Sequence, residues 1–483
     1  MVATLKNYIR GEWVESKGDK TLDVVNPATL ELLAKVPLSV KEDVNDAIKA
    51  AKDAFWDWRT TQPVTRTRYL FEFRNLLDEN FERIAEIIVK EHGKTHDEGR
   101  GDIKRGIETV ELACGVPSLM MGMTEEDVAK NIDESCVKEP LGICVGLTPY
   151  NFPAMIPLWF LPMAIACGNT FILKPSSQVP MTSQAILELA EEAGFPPGVV
   201  NLIHGSRDVS NTLLESPDVK AVSFVGSSAV AKHIYTKSAQ TGKRAQCQGQ
   251  AKNFIVIMPD ADLKSTIPAL ITSACGCAGQ RCLAGEILVP VGDIYEPLRD
   301  QYIEAAKKLK VGYGLEPDTQ MGPLASKDQL EKVHMYIQKG IDEGAKLLLD
   351  GRKLKVDKHP NGFFIGPTVF DDVKPNMTIF KEEIFGPVVG ITKAKTLDEA
   401  LALANTSIYG NAASIFTSSG KAARDFAYKI EAGNVGINIG VPAPIAFFPF
   451  GGWKDSFFGD LHGQARDSIT FYTQDKVIIT RWF

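Results

Sequence analysis

The chain lacks the features that would tie it to nucleic acid, to a membrane or to an oxidising compartment. Its net charge is -7 over 483 residues, which argues against a nucleic-acid partner. Eight cysteines are too few for a disulfide scaffold and favour free thiols in a reducing compartment. The most membrane-like stretch, 152–168, is interrupted by prolines and is shorter than the ~20 residues of a spanning helix. Because the first ten residues contain no apolar signal core, we expect a cytoplasmic protein.

Two ligand signatures are also missing. No G-x-G-x-x-G fingerprint follows any predicted strand, which argues against an ordinary Rossmann site but not against a nucleotide at the carboxyl ends of the strands. The cysteines at 275, 277 and 282 have C-x-C-x4-C spacing with no nearby histidine, which is not a structural zinc pattern. We therefore expect no metal.

What the sequence does contain, from about residue 141, is an alternation of short apolar runs with helical patterns. Such alternation predicts parallel sheets with crossover helices, and the length predicts two or three domains. The predicted strands include 142–147, 170–173, 199–203, 221–224, 254–257, 287–291 and 388–391, and the predicted helices include 42–58, 66–91, 182–193, 228–239, 295–309, 327–344 and 397–405. Segments 131–139 and 468–483 fit neither series and are expected to pair with each other or with another subunit.

Cys282 is the candidate nucleophile. It follows a run of small residues and has a fixed cation, Arg281, beside it. Asn151 lies between two prolines at the end of an apolar strand, so its amide is rigidly held. A thiol and a fixed amide donor are the parts needed to attack a carbonyl and hold the oxyanion. Since buried cysteines are usually inert, only the combination favours thiol chemistry on an aldehyde or acyl group.

Three further segments are candidates for binding an anion or a nucleotide. Gly226 and Ser227 end a strand and open a helix, where Ser227 or Ser228 can cap the helix and free N–H groups can bind a phosphate. Lys174 ends another strand and can hydrogen-bond ribose hydroxyls. Taken alone, the Gly226–Ser227 segment is more simply interpreted as a helix cap, and Lys174 as a surface lysine. Arg105, on a predicted helix, is either a solvated side chain or one arm of an anion clamp with Arg281.

Several motifs, in the expected order, resemble the aldehyde dehydrogenase superfamily over essentially the whole chain. They are TPYNFP at 148–153, LKPS at 173–176, FVGS at 224–227, GQRC at 279–282, EEIFGP at 382–387 and FPFGGWK at 448–454. The stretches at 152–157, 165–175, 440–448 and 456–462 are similar to one branch, the CoA-acylating methylmalonate/malonate semialdehyde dehydrogenases.

The resemblance implies an α/β aldehyde dehydrogenase-like fold with two parallel-sheet α/β domains and a small β-ribbon oligomerisation domain. An NAD-binding domain is expected at 1–119 and 139–251, and a catalytic domain at 252–463. The ribbon is expected at 120–138 and 464–483, in a homodimer or homotetramer.

The resemblance also implies roles for individual residues. Cys282 would be the nucleophile, Asn151 and the Cys282 backbone N–H would form the oxyanion hole, and Arg105 and Arg281 would clamp the carboxylate of a semialdehyde. The cofactor would be NAD, since no cation for a 2′-phosphate follows Lys174. Its expected contacts are Lys174 at the ribose, Gly226 and Ser227 at the pyrophosphate, Glu383 and Phe385 at the nicotinamide, and Pro149 and Phe152.

Departures from the family's pattern concern the acyl acceptor. Hydrolytic members carry a Glu, four residues before a Lys, that activates water; aligning that Lys with Lys252 puts Gln248 at the Glu position. An amide cannot act as a base, so CoA is expected to take the acyl group in place of water. The acylating branch typically has Gly and His where this chain has Gln250 and Phe254, which leaves the substrate open.

Two alternatives remain at this point. One is a non-acylating dehydrogenase of another short anionic aldehyde, for example a sulfonated one, with water as acceptor. The other is a binding or structural protein on the same scaffold. The joint presence of Cys282, Asn151, Lys174, Glu383 and Phe385 argues against this second alternative.

Overall fold

The computed structural model describes residues 2–483. The strands are β1 (Asn7–Ile9), β2 (Glu12–Val14), β3 (Thr21–Val25), β4 (Leu32–Pro37), β5 (Met123–Ala129), β6 (Ile132–Pro140), β7 (Ile143–Leu147), β8 (Thr170–Lys174), β9 (Val200–Leu202), β10 (Val219–Val225), β11 (Arg244–Gln248), β12 (Asn253–Ile257), β13 (Gly285–Pro290), β14 (Lys346–Leu349), β15 (Thr368–Asp371), β16 (Val388–Ile391), β17 (Tyr409–Gly410), β18 (Ala412–Phe416), β19 (Asn434–Ile437), β20 (Trp453–Lys454), β21 (Phe457–Phe458) and β22 (Thr473–Arg481).

The helices are α1 (Lys41–Thr60), α2 (Pro63–Glu79), α3 (Phe81–His92), α4 (His96–Cys114), α5 (Val116–Leu119), α6 (Met155–Ala166), α7 (Pro180–Glu192), α8 (Arg207–Glu215), α9 (Ser228–Gln240), α10 (Leu263–Cys275), α11 (Tyr295–Lys307), α12 (Lys327–Asp342), α13 (Thr378–Lys381), α14 (Leu397–Asn405), α15 (Gly420–Lys429) and α16 (Ala465–Tyr472). The predicted helix over 66–91 is wrong, because it is two helices, α2 and α3. They meet at Asn80, whose side-chain amide bonds the Leu76 carbonyl at 2.9 Å and ends α2.

The first large sheet has the strand order β2-β1-β9-β8-β7-β10-β11-β21. Its central strands β9, β8, β7, β10 and β11 run parallel, as the strand–helix alternation predicts. Strands of this kind are apolar on both sides because helices cover both faces. The proline-interrupted apolar stretch becomes α6, in which every residue is buried. Within residues 2–483, no helix is both long enough and apolar enough to cross a membrane.

The second large sheet has the order β14-β15-β16-β13-β12-β18-β19. All its pairs are parallel except the edge pair of β14 and β15. It has a separate hydrophobic core, in which Phe254 packs edge-on against Phe380 with ring centroids 5.2 Å apart. Two parallel sheets with separate cores give the α/β architecture expected from the sequence.

A third sheet, ordered β22-β6-β5, stands apart from the other two. The two unassigned segments of the sequence pair with each other here, antiparallel from Thr473 opposite Pro140 to Arg481 opposite Ile132. Several apolar side chains of β22 remain exposed, Ile479 at 66%. We propose that this ribbon joins subunits and that the chain divides at the boundaries given above, with two exceptions. Helix α16 lies within 464–483, but its Ile469, Phe471 and Tyr472 belong to the core of the first sheet. β21 pairs with β11 of the first sheet although it lies within 252–463.

Candidate active site

Residues following parallel strands of the first sheet meet residues of the second sheet around Cys282. A cavity of about 190 Å³ is lined from the first sheet by residues after β7, β10 and β11, and from the second by Cys282, Glu383 and Phe385. Ligands of open α/β sheets bind outside the carboxyl ends of the strands, and this cavity lies there. The structure therefore brings the candidate nucleophile together with Gly226, Ser227, Glu383 and Phe385, but not with Lys174.

The chain reaches Cys282 through a tight turn after α10. Cys277 and Ala278 have left-handed backbones, with φ of 50° and 52°, and Gly279 follows with φ of 76°. A Cβ on Gly279 would lie 2.2 Å from the Gly386 carbonyl, so only glycine fits there. The turn thus holds the segment before Cys282 against the segment that carries Glu383 and Phe385.

The Cys282 thiol is not pre-ionised in this structure. Burial raises the pKa of Cys282 to about 12, and the nearby Glu383 carboxyl acts in the same direction. The Cys282 carbonyl is held by side-chain amides, from Asn253 at 2.9 Å and from Asn411 at 2.8 Å. The backbone is therefore fixed, and Cys282 lines two cavities.

Asn151 is fixed by contacts at both its side chain and its backbone. Its amide Nδ2 donates to the Gln280 carbonyl at 3.1 Å, two residues before Cys282. Its backbone carbonyl accepts from Lys94 Nζ at 2.8 Å, and that ammonium is paired with Asp102 Oδ2 at 2.9 Å. The Lys94 and Asp102 side chains are fully buried. An amide donor anchored in this way needs little reorganisation when charge develops beside it.

Lys94 and Asp102 were missed from the sequence. Nothing in the local pattern around Lys94 distinguishes it from a surface lysine after a helix. The pairing depends on α4 packing against α6, where Asp102 Oδ1 also accepts from the Met155 backbone N–H at 2.7 Å. Only the tertiary contact marks these two residues.

Cys282 also lines a second cavity, of about 310 Å³, on the side away from Glu383. Arg105 and Arg281 both line it, so the structure brings together the two arginines that the sequence left apart. Arg281 is paired with Glu98, Nη2 to Oε1 at 3.0 Å, and Arg105 with Glu108 at 2.9 Å. Each cation thus has a fixed position. The cavity beside the thiol carries these two paired guanidinium groups together with the acidic residues Asp97, Glu98 and Asp102.

Phe152 lies on the side opposite to the one expected. The sequence assigned it to the cofactor, but its ring lines the cavity of the two arginines and not the cavity of Glu383. The ring centroid is 4.2 Å from Lys94 Nζ, a cation–π contact that turns it toward α4. Phe152 is thus moved from the cavity of Glu383 to that of the two arginines. Pro149 lines the cavity of Glu383.

Glu383 and Phe385 lie on the wall of the first cavity. The Ala251 backbone N–H donates to Glu383 Oε1 at 3.0 Å. Burial raises the pKa of Glu383 to about 8, with a further contribution from Glu286. Phe385 has a left-handed backbone, with φ of 60°, and its ring meets Tyr150 edge-on with centroids 6.0 Å apart.

The turn from β10 into α9 differs from the expected helix cap. Ser227 occupies the N-cap position, but its side chain makes no capping hydrogen bond. The Ser228 hydroxyl instead donates to the Asp455 carbonyl at 2.6 Å, and the Ser228 backbone N–H donates to Gln250 Oε1 at 3.3 Å. Gly226 and Ser227 line the first cavity, at the positive end of the α9 dipole.

Lys174 lies in a third cavity, of about 480 Å³, between α8 and α9. Its Nζ donates to the Pro175 carbonyl at 3.1 Å, and burial lowers the pKa of Lys174 to about 8. One part of the cavity wall is apolar, with Leu214, Val230 and Ile234, and another part carries Arg207 and His233. An apolar slot next to a lysine suits a planar base and its ribose.

The residues that depart from the family's pattern occupy three different places. Gln248 is buried outside both cavities near Cys282, and both amide atoms lack a hydrogen-bond partner within residues 2–483. Gln250 lines the first cavity. Phe254 lies in the core of the second sheet, so it does not contact either cavity. Of the three, only Gln250 faces the site.

No metal arrangement is found in residues 2–483, where no three His, Cys, Asp or Glu side chains are grouped to hold an ion. All eight cysteines are free thiols. Sequence reasoning also missed Gln329 and Lys332, which line the first cavity from α12. Neither lies in a motif, and only the packing of α12 against the turn at Phe385 brings them there, with Gln329 Nε2 donating to the Phe385 carbonyl at 2.7 Å.

Comparison with known proteins gives consistent findings. The model of the aldehyde dehydrogenase family matches residues 13–478. A Geobacillus kaustophilus protein named malonate-semialdehyde dehydrogenase 1 is 50% identical over 478 residues, covering 99% of this chain and 98% of that protein. Two methylmalonate-semialdehyde dehydrogenase structures are each 43% identical with a TM-score of 0.98 and cover all of this chain. One, from Sinorhizobium meliloti, is complexed with NAD and covered to 98%. The other, from Oceanimonas doudoroffii, is covered to 99%.

Proposed function

The chain belongs to the aldehyde dehydrogenase family, and from that premise we propose that it oxidises malonate or methylmalonate semialdehyde with NAD and transfers the acyl group to CoA. The products would be acetyl-CoA or propionyl-CoA and carbon dioxide. The observation that carries the proposal is the cavity in which two arginines face the side of Cys282 away from the cofactor residues. A short aldehyde that bears a carboxylate fits two fixed guanidinium groups.

In the proposed reaction, Cys282 attacks the aldehyde carbon and Asn151 stabilises the oxyanion that forms. Cys282 would lose its thiol proton to solvent, and its sulfur would add to the aldehyde carbon. The resulting oxyanion would accept hydrogen bonds from the Asn151 amide and the Cys282 backbone N–H. Bound NAD supplies the acceptor for the hydride that leaves this adduct. The product on the protein is a thioester of Cys282. Because Asn151 is anchored to Gln280 and Lys94, its donor is in place before the reaction begins.

Arg105 and Arg281 would orient the substrate carboxylate away from the thiol. With a malonyl-type acyl group, the bond to that carboxylate breaks, its electron pair passes into the thioester carbonyl, and carbon dioxide leaves. A proton taken up at the same carbon completes the acyl thioester. The CoA thiol then attacks the thioester and releases Cys282.

CoA is the proposed acceptor because this chain has no base to activate water at the expected position. Gln248 cannot accept a proton, and its side chain lies outside the cavities that Cys282 lines. A thiol is intrinsically more nucleophilic than water toward a thioester, so it needs less assistance.

The residues present fit NAD. Lys174 with its apolar slot would hold the adenosine, Gly226 and Ser227 at the start of α9 would hold the pyrophosphate, and Glu383 would accept from the nicotinamide ribose. The cavity that contains Glu383 and Phe385 opens on Cys282, as hydride transfer requires. We also propose a cytoplasmic homodimer or homotetramer, on the basis of the free thiols and the exposed apolar side chains of β22.

The test is NADH production from malonate semialdehyde with and without CoA, with identification of the acyl product. We expect turnover only with CoA and acetyl-CoA as the product, and no NADH from Cys282→Ala. Turnover without CoA that yields a free acid would overturn CoA transfer and leave a hydrolytic dehydrogenase. NADH formation by Cys282→Ala would overturn the nucleophile.

A further inference from the structure

A second buried ion pair lies behind the wall of the first cavity. Lys252 Nζ is paired with the Glu286 carboxylate, and the two side chains are 0% and 5% exposed. Lys252 lies between β11 and β12 and Glu286 lies on β13, and neither lines the cavities that Cys282 lines. A pair of charges held out of water is costly unless further hydrogen bonds satisfy them. The other partners of Glu286 therefore indicate what this pair does.

Those partners are backbone N–H groups of the turn 383–385, which carries Glu383 and Phe385. Glu286 Oε2 accepts from the Ile384 N–H and Oε1 accepts from the Phe385 N–H, each at 3.4 Å. Successive N–H groups in a turn form a concave site for an anion. Within residues 2–483, neither N–H group has another acceptor. The carboxylate thus holds the N–H side of this turn.

The carbonyl side of the same turn is held by α12. Gln329 Nε2 donates to the Ile384 carbonyl at 3.2 Å and to the Phe385 carbonyl at 2.7 Å. The left-handed backbone of Phe385 is unfavourable for a bulky residue and persists only where its surroundings hold it. Because Gln329 reaches only the carbonyl oxygens, the N–H groups depend on Glu286.

The lysine end of the ion pair is tied to the same turn. Ala251, the residue before Lys252, donates its backbone N–H to Glu383 Oε1 at 3.0 Å. The Lys252 segment therefore fixes the side chain of Glu383, while Glu286 fixes the backbone that follows it. The two charges of the pair hold the turn from two different strands of the structure.

We propose that Glu286, held by Lys252, is a positioning residue for hydride transfer, because it fixes the turn that presents Glu383 and Phe385 to the nicotinamide. The inference rests on the proposed function, which places the nicotinamide at these two residues. Glu286 does not line either cavity, so it acts through the turn. A displacement of about 1 Å at a reacting centre can lower the rate about 10²-fold.

The test uses Glu286→Gln in the whole protein, with AMP and NADH as binding probes. An amide has one accepting oxygen, so it cannot accept from both N–H groups as the carboxylate does. We expect the Kd of AMP, measured by calorimetry, to stay unchanged, because the proposed adenosine site at Lys174 is in another cavity. The Kd of NADH, measured by its fluorescence, should rise at least about threefold.

Hydride transfer should be affected more than binding. We expect the rate of the NADH burst with NAD and malonate semialdehyde to fall about tenfold or more. A substrate with deuterium on the aldehyde carbon should then give a larger isotope effect on the burst than it gives with the wild type, because hydride transfer has become slower.

Two further variants separate positioning from folding. Lys252→Met combined with Glu286→Leu removes both charges, so no unpaired charge is buried, and it should show the same pattern as Glu286→Gln. Asp371→Asn is the matched control, since Asp371 is a buried acid of the second sheet that accepts from Tyr295 Oη at 2.5 Å. It should change thermal stability but neither NADH binding nor the burst.

The outcomes separate this inference from the proposed function. An NADH Kd and a burst rate within about twofold of wild type in the double variant would overturn the positioning role. Equal losses of AMP and NADH binding would also overturn it, because they would show general damage. Failure of the wild type to bind NADH would refute the proposed cofactor site and the inference with it. The expected change in NADH binding, without turnover of malonate semialdehyde by the wild type, would support the positioning role and refute only the proposed substrate.

Discussion

Replacing Asn151 by alanine tests the step on which the proposed chemistry depends. Asn151 is 5% exposed, and its amide is within hydrogen-bond distance of the Gln280 carbonyl, two residues before Cys282. Alanine removes the side-chain donor, but it keeps the backbone carbonyl to which Lys94 donates. The loop therefore retains its buried anchor, and the substitution removes one oxyanion donor with little else.

The size of the effect follows from the geometry. Loss of one preorganised oxyanion donor lowers the rate by about 10²–10³, equivalent to about 2.7–4 kcal/mol. The cost to folding is smaller, since one neutral hydrogen bond contributes about 1 kcal/mol, and a buried carbonyl left without a partner adds a comparable amount. Catalysis should thus fall far more than stability.

The assay is the burst of NADH after mixing enzyme, NAD and malonate semialdehyde without CoA, because the burst reports formation of the thioester alone. Asn80→Ala is the matched control, since it also removes one amide hydrogen bond to a carbonyl, at 2.9 Å, but at the end of α2. Thermal unfolding of both variants should show similar small losses. If the rate of the NADH burst of Asn151→Ala stays within about threefold of the wild-type rate, the assignment of Asn151 to the oxyanion hole is wrong.

Two further predictions concern the thiol and the missing base. Because burial raises the pKa of Cys282 to about 12, the thiolate fraction of the cofactor-free enzyme should rise about tenfold per pH unit between pH 7 and 9. The rate of alkylation of Cys282 by iodoacetamide should rise in the same way. Mass spectrometry measures this rate, with Cys282→Ala as the blank. A rate that levels off below pH 8 would show that the thiol is already ionised there. Gln248→Glu should not create hydrolysis, since this side chain lies outside the cavities, and should destabilise the protein by a few kcal/mol because it buries an unpaired acid. If this variant formed the thioester at the wild-type rate and then released the free acid without CoA, the side chain at position 248 would reach the thioester, contrary to the structure.

A site residue is predictable from the sequence when it lies in a local motif, and it is not predictable when its role depends on contacts with distant elements. The cysteine, the asparagine, the lysine and the glutamate each end or follow one element, and each lies in a motif of its own. They were named from the residues together with the resemblance. Lys94 and Asp102 lie in no motif, and their importance depends on neighbours that are distant in sequence.

The errors have the same origin. Phe152 is expected at the cofactor from the resemblance, but its ring lines the cavity of the two arginines, where it contacts the ammonium of Lys94. Phe254 was treated as bearing on the substrate because it adjoins the Lys252 motif, yet on β12 it faces the core of the second sheet.

The sequence by itself determined the α/β class, the family resemblance, the candidate nucleophile and the glutamine at position 248, because each follows from local periodicity or from residues a few positions apart. Only the tertiary structure decided that Arg105 and Arg281 share a cavity and that a buried Lys94–Asp102 pair anchors Asn151. These relations join residues from different strands and helices. They exist only once the two sheets have packed and the strand order is set, which no local pattern specifies.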